Sequence, residues 1–183
     1  RIIANPNCST IQLVLALHRL HETFTLKRLV VSTYQSVSGT GARAIHQLDN
    51  ERRGVEGEMA YAYVIDKNCI PQCDVFSDNG YTREEMKVVN ETRKILRSPD
   101  IQITCTAVRV PVEGGHSESV NAEFVKTPDI ALVKQILSST PGVKVYDHPE
   151  TQLYPMPVNV RGKDDVYVGR IRKDESCANA INL

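Results

Sequence analysis

Behind the turn Asn5-Pro6-Asn7, apolar residues recur at helical spacing at Ile11, Val14 and Leu15, extended by Leu17 and Leu20. That pattern predicts a helix over residues 8–22. Residues 1–4 are apolar and read as strand. Residues 26–38 are rich in β-branched side chains and read as a strand, followed by a loop and a second helix over 39–53. Residues 58–80 are mixed, with turn signals at Ile70-Pro71-Gln72 and Asp78-Asn79-Gly80. The clearest helix covers 82–98. Thr82 stands at its N-cap, Glu84 and Glu85 fill the first turn, and Lys and Arg crowd the end. Residues 101–112 alternate as a strand, Gly114-Gly115 turns the chain, and a further strand runs to 125. A helix over 128–140 and strands over 142–147 and 165–174 follow. The final stretch, 175–183, reads as the opening turns of a helix. Strands in series mixed with strands separated by helices predict an α+β domain, a mixed and largely antiparallel sheet with helices on one face.

The 183 residues suit one domain or a large piece of one, and 41% hydrophobic with 24% charged residues is a globular composition. Lys plus Arg and Asp plus Glu balance at 22 each, which gives no basic field for nucleic acid. No apolar run reaches the roughly 18 residues of a membrane span, and the start is not a signal peptide. Cytoplasm is therefore the expected location. Five cysteines form no disulfide framework and fit a reducing compartment. Cys69 and Cys73 are spaced C-x3-C without two further ligands in register, so no metal site is expected. Both ends read as cut, and a segment is expected before Arg1 and after Leu183.

The chemistry centres on Cys8. Only a thiolate is a good nucleophile, and the N–H groups and dipole of a helix start favour an anion there. The same position suits a small buried hydrophobe, so both readings stay open. An attacking thiol needs a proton acceptor in space. His18 and His21 lie farther along the same helix and point elsewhere. His46 and His148 read as solvent-exposed. His116 follows Gly114-Gly115 after a strand, where glycines let the backbone bend and aim the ring. Arg109, on that strand, is either a surface ion-pair partner or a bidentate anchor for a carboxylate.

Four stretches in this order, NPNCST (5–10), STYQSVSGTGA (32–42), NGYTREEMKVVNETRKIL (79–96) and VRVPVEGGHSESV (108–120), resemble bacterial aspartate-β-semialdehyde dehydrogenase. The likeness runs over residues 3–182. It implies a glyceraldehyde-3-phosphate dehydrogenase-like C-terminal domain. The implied reaction is reduction of L-aspartyl-4-phosphate by NADPH to L-aspartate 4-semialdehyde and phosphate, on the route to lysine, threonine and methionine. The resemblance makes Cys8 the acyl-forming thiol, His116 the acid/base, and Gln35 the residue that orients the thioester. It makes Arg109 the binder of the substrate α-carboxylate, and Glu84 and Lys87 a pair near the substrate amine and phosphate. Asn7 then lines the phosphate pocket, and Ser38 and Gly39 touch the nicotinamide half of the cofactor. By residues alone, Glu84 and Lys87 read equally as a solvated i,i+3 pair.

GTGARA (39–44) has the form of a dinucleotide fingerprint, but no βαβ unit surrounds it, so it reads as a cofactor-adjacent turn. The family's main NADP site lies in an N-terminal Rossmann domain, and a final helix returns to that domain; neither is in this sequence. Residues 1–183 are therefore expected to be the catalytic and dimerisation domain, with the thiol chemistry but without productive NADPH binding of its own. A homodimer is expected, with further pairing to a tetramer left open. Alternatives are an N-acetyl-glutamyl-phosphate reductase, a non-catalytic dimerisation module, and a cofactor-free thiol esterase or transferase.

Overall fold

The computed structural model describes residues 2–183. Helix α1 (Cys8–Phe24) leads into strand β1 (Leu26–Gln35), a 3₁₀ turn over Val37–Thr40 and helix α2 (Ala42–Arg53). A long irregular segment then reaches helix α3 (Arg83–Ile95), strand β2 (Gln102–Arg109), strand β3 (Ser117–Phe124) and helix α4 (Ile130–Ser138). Short strands β4 (Val143–Val145), β5 (Val166–Val168), β6 (Arg172–Lys173) and β7 (Ala180–Asn182) complete the chain, with a one-turn helix α5 (Pro157–Val160) before β5.

The main sheet has the order β2-β1-β3-β7-β6. β1 and β2 run parallel, and the other neighbours are antiparallel. The fold is thus α+β with a mixed, mostly antiparallel sheet. Period-two alternation sends Leu29 and Val31 of β1 and Val120, Ala122 and Phe124 of β3 to one face. There they meet Leu13, Leu17, Leu20 and Phe24 of α1 and Val133 and Leu137 of α4. Phe24 and Phe124 pack edge to face at 5.8 Å. The other face carries Tyr34, Thr106 and Ser119, all exposed. A smaller core of Val37, Ala44, Leu48, Ile65 and Ile70 holds α2 to the irregular segment.

The stripe of α1 lies about one residue round from the expected one. Leu13 is buried, whereas Ile11 is 46% exposed and faces a cavity instead of the sheet. α3 starts as its sequence dictates. Thr82 Oγ1 accepts the Glu85 N–H and Glu85 Oε2 accepts the Thr82 N–H, a capping box of the kind that contributes about 1 kcal/mol. Glu85 Oε1 also accepts the Ala107 N–H, which ties the helix to β2.

Three expectations are corrected. Residues 175–183 do not open a helix: Ala180 and Ile181 are buried in β7, where Ala122 pairs with Ile181. Sheet pairing there overrides an alanine-containing, helix-compatible sequence. Residues 165–174 are two strands, because Arg170 at φ 56° turns the chain, so that β5 pairs with β4 and β6 with β7. At the N-terminus Arg1 lies outside the described residues, and Ile2 and Ile3 are irregular and fully exposed rather than in a strand. No helix among the described residues is long and apolar enough to cross a membrane.

A cavity of about 520 Å³ opens between α1, β3 and the residue 155–172 segment. Glu118 faces it with Oε1 accepting the Gln12 amide at 2.7 Å, and burial pushes its carboxyl up to about 8, against the effect of that hydrogen bond. A carboxyl raised above its unfolded value stabilises the fold while protonated, so that contribution is lost as pH rises towards the folded value. Between about pH 5 and pH 8 the melting temperature should therefore fall more steeply in wild type than in Glu118→Gln. Parallel melting curves would refute it.

Candidate active site

Register brings the site together. Gln35 and Arg109 pair as the last residues of parallel β1 and β2, and Tyr34 pairs with Ser117, the residue after His116. One end of the sheet thus collects Gln35, Arg109 and His116. The N-termini of α1 and α3 add Asn7, Cys8 and Glu84.

Asn7 is the N-cap of α1, its Oδ1 accepting the N–H groups of Ser9 at 3.0 Å and Thr10 at 3.2 Å. This fixes Cys8 as the first helical residue, exposed to solvent. Its Sγ lies 3.9 Å from Glu84 Oε1. That oxygen also accepts from Asn7 Nδ2 at 2.8 Å and Gln35 Nε2 at 3.3 Å, while Lys87 Nζ pairs with Oε2 at 3.3 Å. Only the lysine end of the pair is solvated: Lys87 is exposed, whereas Glu84 is 8% exposed and sits within hydrogen-bond distance of three side chains from other elements or its own helix. Gln35 is fully buried and also donates to Ser9 Oγ at 3.1 Å, and its Oε1 has no partner.

The helix start does not by itself lower the thiol. Partial burial, then the Glu84 charge, raise Cys8 above its ordinary value, and they outweigh the Ser9 and Cys8 backbone N–H groups and Arg109. The expected thiolate bias is therefore absent from the ligand-free site. Asn7 occupies the N–H groups of Ser9 and Thr10, and a carboxylate stands beside the sulfur.

The second half of the site hangs on Ser36. Its N–H donates to His116 Nδ1 at 3.0 Å, and its carbonyl accepts from Arg109 Nη1 at 2.7 Å. A backbone N–H only donates, so Nδ1 is the acceptor and the neutral ring carries its proton on Nε2. Burial, then Arg109, lower the ring's pKa and favour that neutral form. Gly115 at φ 84° makes the bend that delivers His116. Arg109 is 5% exposed, its Nε is buried without a partner, and its guanidinium lies 5.9 Å from the Tyr61 ring centroid. It is no surface ion pair. The adjacent dipeptide Gln35-Ser36 joins the thiol half to the His–Arg half.

Ser38 and Gly39 lie in the exposed 3₁₀ turn after β1. A Cβ on Gly39 would stand 2.9 Å from Arg109 Nη1 and 3.2 Å from the His116 ring, so only glycine lets this backbone lie against both. The turn offers no cradle for a dinucleotide, since α2 begins without a βαβ unit around it. Cys73 and Cys105 are buried, with burial pushing their thiols up to about 11 and about 12, which makes them packing residues. Cys69 is exposed, so it does not share an environment with Cys73.

Residues 17–183 match the family described as semialdehyde dehydrogenase, dimerisation domain. The chain belongs to this family. Aspartate-semialdehyde dehydrogenase of Bacillus subtilis is 46% identical over 196 residues, covering 100% of this chain and 56% of that protein. The solved aspartate semialdehyde dehydrogenase II of Vibrio cholerae, complexed with ASA, superposes with a TM-score of 0.93 at 43% identity, covering 100% of this chain and 55% of that one. The Candida albicans enzyme, solved with NADP, gives 0.71 at 25% identity, with 100% and 51% covered. The chain spans about half the length of the relatives it matches.

Ser36 and Tyr61 are the residues of this constellation that sequence reading missed. Ser36 adjoins Gln35 within a stretch already singled out, so its neighbour was the available signal. Tyr61 lies in an irregular segment with no pattern to mark it.

Proposed function

We propose that this chain is the catalytic and dimerisation domain of an aspartate-semialdehyde dehydrogenase. The full enzyme would reduce L-aspartyl-4-phosphate with NADPH in lysine, threonine and methionine biosynthesis in the cytoplasm. The observation that carries the reading is the junction at Gln35-Ser36: Gln35 donates to Ser9, the neighbour of the exposed helix-start thiol Cys8, and Ser36 bonds both the neutral His116 and the buried Arg109. In this reading Arg109 receives the substrate α-carboxylate and Glu84 the amine. Lys87 and Asn7 face the phosphoryl group.

The Cys8 thiolate attacks the acyl carbon. A C–S bond forms, the bond to the phosphate oxygen breaks, and inorganic phosphate leaves. Ser38 and Gly39 would meet the nicotinamide edge of NADPH, held mainly by a separate N-terminal domain, and the cofactor would supply the hydride that reduces the thioester. His116 donates its Nε2 proton as a hydrogen bond to the oxyanion of each tetrahedral species, and Gln35 orients the acyl group. Collapse of the reduced species breaks the C–S bond and returns the Cys8 thiolate with the aldehyde product. Two copies would pair through the exposed sheet face bearing Tyr34, Thr106 and Ser119, and two such dimers could form a tetramer.

The test is NADPH formation by the complete polypeptide from L-aspartate semialdehyde, NADP and phosphate. Phosphate-dependent turnover is expected. Turnover with N-acetyl-glutamate semialdehyde alone would replace this substrate assignment.

A further inference from the structure

We propose that Glu84 gates the Cys8 nucleophile. In the free enzyme its carboxylate accepts the Cys8 S–H, and a cationic group of the substrate releases the thiol by pairing with that carboxylate. The inference rests on the reading of Glu84 as partner of the substrate amine.

The two oxygens of Glu84 have different surroundings. Oε2 faces a cation, Lys87 Nζ, at 3.3 Å. Oε1 meets only uncharged groups, namely Asn7 Nδ2, Gln35 Nε2 and the thiol itself at 3.9 Å. Lys87 thus balances the shared carboxylate charge only from the Oε2 side, no cation among the described residues bonds the oxygen that faces sulfur, and a thiolate there would meet like charge. An ammonium docking against Oε1 supplies the missing cation and removes that opposition. The S–H proton then leaves to solvent water, since Cys8 is exposed, and no bond other than S–H breaks.

Two other charged groups bear on the balance. Arg109 favours the thiolate, and a substrate carboxylate would blunt that help; but the opposing effect of Glu84 on the thiol is the larger. Lys87 is shared with Asp74, 3.2 Å away, and so is not free to shift onto Oε1. Cys73 is buried and protonated, and neutral His116 brings no charge. A gate of this kind keeps an exposed thiol unreactive until an amino-acid substrate arrives.

The test reads the pH midpoint of Cys8 carbamidomethylation by iodoacetamide in the full-length enzyme, quantified on the Cys8 peptide by mass spectrometry. The midpoint, not the plateau rate, is scored, because a bound ligand also shields sulfur. Saturating L-α-aminobutyrate, which has the amine and carboxylate but no reactive acyl group, should lower the wild-type midpoint, and butyrate should not. Glu84→Gln should alkylate several-fold faster than wild type at neutral pH, and its midpoint should lie lower and no longer respond to the amino acid. Calorimetry separates the two ideas. If the amino acid binds more weakly to Glu84→Gln yet leaves the wild-type midpoint unmoved, the gate is overturned and the amine site stands. If it binds both proteins equally, the amine reading fails and takes the trigger of the gate with it. The wild-type arm needs no variant to fold.

Discussion

Cys8→Ala is expected to abolish phosphate-dependent NADPH formation in the complete enzyme, by a factor of at least about 10⁴, or about 5 kcal/mol of transition-state stabilisation. The effect is this large because the residue forms and breaks a bond in the proposed cycle, and no neighbouring thiol can replace it. Cys73 and Cys105 are buried, with thiols pushed up to about 11 and about 12. Stability should change little. Cys8 is exposed at the first position of α1, alanine suits a helix, and the cap belongs to Asn7. Steady-state assay with a thermal melt checks both halves, and intact-protein mass spectrometry should find the acyl adduct in wild type only. Retained turnover in the alanine variant would move the nucleophile elsewhere.

Arg109→Lys should lower kcat/KM by about 10²- to 10³-fold, in line with the cost of disturbing a buried charged anchor. In the proposed reading the side chain has two tasks. Nη1 donates to the Ser36 carbonyl at 2.7 Å, and the rest of the guanidinium, whose Nε has no partner among the described residues, would hold the substrate carboxylate. A lysine ammonium is a point charge without a planar fork, so it cannot hold Ser36 and present a second fixed donor edge together. The rise should fall mainly on KM, because the lost contact is made in ground and transition states alike. A smaller fall in kcat should accompany it, since Ser36 also holds His116. An unchanged KM with a large loss of kcat would mean that Arg109 serves only to place Ser36 and His116.

What could be read from the sequence was whatever short range decides. The capping box from Thr82 to Glu85 closes within one helical turn. The bend at Gly115 is written in the residue itself. The placement of Cys8 follows from the turn and the apolar spacing around it, and the strand alternation of 101–112 survives in β2. The resemblance supplied the family and the roles proposed for Gln35, Arg109, His116 and Glu84, because four motifs in order specify a family where one would not.

The chain order alone thus determined the elements that local propensity, capping and apolar spacing define, and which residue types could do chemistry. Tertiary structure decided the rest, because the deciding partners are far apart in sequence. Residues 180–182 became a strand by pairing with β3, about sixty positions earlier, and with β6 on the other side. Glu84 became a buried member of the site only when α3 met Asn7 and Gln35 from two other elements. The thiol of Cys8 is raised rather than lowered because packing partly buries it and, second, because that carboxylate, 76 residues away, faces the sulfur. A helix start can be read from its own turn, but the charge it will meet is set by packing.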